Sequence, residues 1–234
     1  MKSSYIGIAA IMLVMIAVVF AGCTSQTTPA ASGGSTPASS SGSSSSASSS
    51  AAAASSSQQV GSTVSSTSIF GTSYSWMEYQ TTVTGADGKE MSMDMKTQRS
   101  TSTYNGQPAV EMKVTMTSSN MNGVYDYYYD SAMNSILGGT MTMTVNGKSM
   151  TMNIPAAQLN QAGATNFNKA TTLTFEGIGP VTVPAGTYPA ASKYLSSENN
   201  GTVTFWSAPG VPVPVQIAVS TSNGGAQSEL VGWG

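Results

Sequence analysis

Residues 141–154 read MTMTVNGKSMTMNI, four methionines at even spacing around a central Asn-Gly. Asn146 and Gly147 suit the two middle positions of a type I′ turn, which needs positive φ at both and whose twist matches that of paired strands. Val145 then pairs with Lys148, Met143 with Met150 and Met141 with Met152, while Thr144, Thr142, Ser149 and Thr151 fall on the opposite side. The stretch is therefore a hairpin with one thioether face and one hydroxyl face, the chemical sorting that a half-buried sheet requires.

The same pattern of turn and face continues along the chain on either side of this hairpin. At Ala86-Asp87-Gly88, a three-residue loop with Gly88 left-handed pairs Met91, Met93 and Met95 with Val83, Thr81 and Tyr79, keeping apolar sides together. Tyr104-Asn105-Gly106-Gln107 reads as a two-residue hairpin that sets Met116 opposite Met95 and Val114 opposite Thr97. Tyr125, Tyr127 and Tyr129 share one side of a strand over 124–130, and residues 131–139 return the chain to the methionine hairpin. One short helix is predicted over 155–161, opened by Pro155 in a first-turn position. Further strands are predicted at 170–176, 180–184, 188–196, 202–207, 213–220 and 226–233; Pro212 and Pro214 place the start of the fifth of these at an edge or bulge. The fold class is mainly β: an antiparallel meander forming a curved sheet or incomplete barrel, with at most one or two short helices.

The N-terminal third has a different composition. Lys2 precedes an apolar run from Tyr5 to Ala21, the layout of a signal peptide over 1–22. Val19-Phe20-Ala21-Gly22-Cys23 resembles a lipoprotein lipobox, with Phe20 where leucine is usual, and implies lipidation of Cys23. Residues 23–67, mostly Ser, Ala, Thr and Gly, cannot bury enough apolar surface to offset their chain entropy and read as a disordered stalk. Its hydroxyls are candidates for O-glycosylation; Asn200-Gly201-Thr202 fits a sequon but reads better as a turn. The β-domain is assigned to 68–234, held outside the cytoplasmic membrane by the N-terminal lipid.

Composition excludes several function classes. Lys and Arg number 8 against 10 Asp and Glu, giving a net charge of -2 and no basic patch for nucleic acid. With no histidine and a single cysteine, the common general base, the common zinc ligands and any intrachain disulfide are missing. Asp126 and Asp130 in YDYYYD are too sparse for a calcium loop. Serines and lysines are present without a Ser-Lys motif, so no catalytic residues, metal ligands or cofactors are assigned and the chain is read as a non-enzyme.

The β-domain carries twelve methionines against four phenylalanines. Methionine adapts to irregular contacts and is over-used at promiscuous apolar surfaces. Met91, Met93, Met95, Met112, Met116, Met141, Met143, Met150 and Met152, with Tyr125, Tyr127 and Tyr129, form a candidate apolar face for a lipid or a lipidated protein. The same pattern permits a plain structural core in a non-catalytic envelope module. It also permits a Cu(I) site, since soft thioethers select that ion.

Residues 181–220, VTVPAGTYPAASKYLSSENNGTVTFWSAPGVPVPVQIAVS, resemble a recurring pattern of exported proteins, in which a Val-Pro-Ala-Gly-Thr-aromatic turn precedes a strand ending in Trp and a proline-rich approach to the next. Together with YYYDSAMNSILGGTMTMTVNG at 127–147, they are similar to archaeal-type surface lipoproteins of unknown function with a LolA-like lipoprotein-sorting fold. That resemblance implies an incomplete antiparallel barrel around an apolar cavity with helices as a lid, and no catalytic set.

Overall fold

Wherever apolar and hydroxyl side chains alternate, the backbone is extended and the period of two sends them to opposite sides. The computed structural model describes residues 58–234 apart from 71–73, 120, 134, 146, 162–171 and 199–200. The signal peptide, Cys23, most of the stalk, Asn146 and Asn200 of the sequon lie outside the described residues. The strands are β1 (Thr63–Ser65), β2 (Trp76–Gly85), β3 (Glu90–Tyr104), β4 (Gln107–Ser118), β5 (Met121–Asp130), β6 (Ile136–Val145) and β7 (Lys148–Pro155). Helix α1 (Ala156–Gln161) follows, then β8 (Thr172–Val183), β9 (Gly186–Glu198), β10 (Gly201–Ser207), β11 (Gln216–Thr221) and β12 (Gly224–Trp233). They form one open 12-stranded sheet in the order β1-β8-β9-β10-β11-β12-β2-β3-β4-β5-β6-β7.

The turns place the registers as their chemistry requires. Met91, Met93 and Met95 oppose Val83, Thr81 and Tyr79, with Gly88 at φ +74°. Asn105 and Gly106 both have positive φ, and Met95 opposes Met116. Met141 opposes Met152 and Met143 opposes Met150.

Followed from strand to strand, the opposed pairs trace a single apolar face. It runs from Val64 against Leu173 through Phe175, Tyr194, Phe205, Ile217, Ser228, Thr81, Met93 and Met95 to Met116, and on through Gly123 and Met143 to Met150. A flat sheet cannot bury its own face, so this one folds over. The link between β10 and β11 crosses the inner side and buries Ala208, Val213 and Val215 there. Its ties are backbone groups: the Tyr79 hydroxyl donates to the Pro214 carbonyl at 2.6 Å, and the Leu230 N–H to the Val215 carbonyl at 2.9 Å. From the β8–β9 turn, the Ala185 N–H donates to the Leu230 carbonyl at 2.9 Å, so that hairpin is drawn onto β12. At the other end Leu159 of α1 packs over Gly139. The resulting core is one cluster containing residues of both halves.

Four expectations are corrected. The folded part begins before residue 68, because Thr63–Ser65 pairs with Thr172–Thr174; three residues are too few for a period to show in Ser/Thr-rich sequence. The segments 170–176 and 180–184 belong to one strand, β8, whose register slips between Phe175 and Gly177 and between Gly179 and Val181. Bulges absorb the extra residues there, and Pro180 needs no ladder partner on its outer edge. Strand β11 begins at Gln216 rather than 213, since Pro212 and Pro214 lack N–H groups and the Val-Pro-Val segment crosses the core instead. Pro155 ends β7 rather than opening α1.

Candidate apolar binding surface

The proposed face divides sharply by position in the sheet. Met93, Met95, Met112 and Met116 are buried, as are Tyr127 and Tyr129. These strands have neighbours on both edges and the folded-over inner side above them, so their thioethers are core filler. Met91 and Tyr125 are half-buried and pack against that core. Gly123 leaves room for the Tyr125 ring, which lies 6.2 Å from Tyr127 at an interplanar angle of 16°. Burial pushes the phenols of Tyr125 and Tyr127 above the ordinary tyrosine value, in Tyr127 with a smaller contribution from Tyr125.

The last two strands differ. Met141 and Met143 on β6 are half-buried, whereas Met150 is 64% and Met152 42% exposed on β7, with Val145 at 44% beside them. Val145 shares the methionine face, opposing Met121 and Lys148. Its alternation with Met141 and Met143 is the sequence signal that places it there. Behind this patch the outer face carries the hydroxyls, with Thr142 and Thr151 bonded at 2.9 Å and Thr144 and Ser149 at 2.7 Å. The hairpin is therefore stiffened on its polar side and left open on its greasy side.

Comparison with known proteins finds no family model and no curated protein that matches the chain.

Two hollows lie elsewhere, away from every methionine. One of about 380 Å³ is lined by Gln80, Thr82, Gln227 and Glu229 among others, where Glu229 accepts from Gln227 and Gln216. The other, about 300 Å³, holds Trp76, Arg99, Glu111 and Lys113. Asp126 is held by Lys113 at 3.6 Å and accepts from Thr140 at 3.3 Å, so it braces the outer face. Among the described residues no three His, Cys, Asp or Glu side chains gather as metal ligands. Nor is any described helix long and apolar enough to cross a membrane.

Proposed function

We propose that this chain is a non-catalytic extracytoplasmic module, tethered to the membrane through lipidated Cys23, that engages an apolar partner on the open methionine hairpin of β6 and β7. The observation that carries this reading is the exposure of Met150 and Met152 on the last strand, continuous with half-buried Met141 and Met143. Four thioethers and Val145 make a flexible, polarizable surface suited to alkyl chains. Apolar side chains grouped at one place, rather than scattered, mark an interaction site. The partner is a lipid tail or a lipidated protein lying across the hairpin, because the rest of the inner face is filled by the protein's own side chains.

Native mass spectrometry of the full chain, purified from its own host, tests the reading. Wild type is expected to retain a lipid mass beyond its N-terminal anchor. The double variant Met150→Glu/Met152→Glu is expected to retain at least tenfold less, with an unchanged strand signature by circular dichroism. Equal retention by both proteins, or none by wild type, would overturn it.

A further inference from the structure

The two ends of the sheet are built differently. At one end β1 is three residues long, and the rest of the β8 edge carries two bulges and Pro180. Short edge strands, bulges and prolines are the means by which a sheet avoids adding strands. At the other end β7 runs for eight residues in unbroken register, with Lys148 its only charge. Among the described residues no strand pairs with that edge.

Its backbone pattern follows from the turn. Two residues separate Val145 and Lys148, so this pair exchanges both backbone bonds and the pairs alternate from there. Lys148, Met150, Met152 and Ile154 point their backbone groups at β6, and Ser149, Thr151, Asn153 and Pro155 point theirs outward. The close hydroxyl contacts of Thr142 with Thr151 and Thr144 with Ser149 fall at the pairs without backbone bonds, where side chains approach most nearly. Pro155, which has no N–H, stands at an outward position where β6 asks nothing of it.

We infer that β7 pairs antiparallel with β7 of a second copy about a two-fold axis at Thr151. In this register Thr151 meets its own counterpart and Ser149 meets the copy's Asn153, so every outward N–H of 149, 151 and 153 finds a carbonyl. Shifting the centre by two residues in either direction loses one of these pairs or sets Pro155 where a donor is needed. Lys148 faces the copy's Ile154, so no like charges are opposed. Met150 faces the copy's Met152, so the methionine ladder of one hairpin runs into that of the other and doubles the greasy surface. This pairing rests on the reading of the hairpin as a docking surface and names its first partner.

The test is register-specific disulfide trapping of the full chain in the membranes of producing cells. Directly opposed, backbone-bonded residues of an antiparallel pair have Cα atoms about 5.5 Å apart, within the range a disulfide spans. Thr151→Cys is expected to give a cross-linked dimer under mild oxidation. Ser149→Cys, equally on the exposed edge, would stand about 14 Å from its own counterpart and is expected to give at least fivefold less, with wild type reporting any contribution from Cys23. Adding Asn153→Pro to Thr151→Cys removes two outward bonds without touching the β6 ladder and is expected to abolish the cross-link while leaving the circular dichroism spectrum unchanged. Equal cross-linking by Thr151→Cys and Ser149→Cys, or none by Thr151→Cys, overturns self-pairing. Lipid retention that still depends on Met150 and Met152 would then leave the docking surface standing without it.

Discussion

Tyr79 shows how a single side chain ties the folded-over sheet to pH. It is 1% exposed, and its hydroxyl donates to the Pro214 carbonyl across the core. Burial pushes the phenol far above its ordinary value, so the native state holds this proton more tightly than the unfolded chain does. The stability it contributes is fully present below the unfolded tyrosine pKa of about 10 and is lost as pH rises beyond it, by about 1.4 kcal/mol per pH unit. Tyr79→Phe is expected to cost about 1–3 kcal/mol at pH 7, because the Pro214 carbonyl is left without its donor. It is also expected to flatten the decline above pH 10, with Tyr127 sustaining a residual slope. Urea unfolding of both proteins from pH 7 to 11 reads this directly; parallel declines would remove Tyr79 as the cause.

At the scale of elements, close approach decides which glycines are needed. A Cβ on Gly139 would lie 2.7 Å from the Asp126 carbonyl on β5 and 3.5 Å from Leu159 of α1. Gly139→Ala is therefore expected to push β5 and the helix apart and cost about 1–3 kcal/mol. On Gly179 the same methyl would meet only the Trp206 ring at 3.6 Å, an ordinary contact. Gly179→Ala is expected to stabilise by about 0.5–1 kcal/mol, the backbone entropy that glycine loses in a strand. Thermal melts of the two variants check the contrast, and a cost at Gly179 equal to that at Gly139 would refute it. The hairpins themselves were legible because Asn-Gly and Asp-Gly set the turn and a period of two sets the face. Strand β8 was not, because Gly177, Gly179 and Pro180 read as breaks and only the partner strand reveals them as bulges. Which methionines of the candidate surface stand open was equally hidden: Met95 and Met152 have the same local pattern, and they differ only because β7 ends the sheet and β3 does not.

Over the whole molecule, two meanders meet at one seam. Strands β2 to β7 pair in sequence order, as do β8 to β12, and the ladder between β12 and β2 joins them across long sequence separation. Midway along that ladder Thr81 and Ser228 are buried and share a hydroxyl hydrogen bond of 2.8 Å. Removing either partner strands the other in an apolar interior, so Thr81→Val and Ser228→Ala are each expected to cost about 1–3 kcal/mol. Removing both strands neither, and the double variant is expected to lose less than the sum, by a coupling of about 0.5–3 kcal/mol. Because the core is one cluster shared by both meanders, all four proteins are expected to unfold in a single transition, with tryptophan fluorescence and circular dichroism coincident. Trp206 reports from β10 and Trp76 from β2, so the emission covers both halves. Two separate transitions, with the seam variants shifting only one, would mean that each meander is stable alone and the seam a contact between domains. Additive costs in the cycle would mean that the two hydroxyls act independently and the seam is held by its backbone ladder alone.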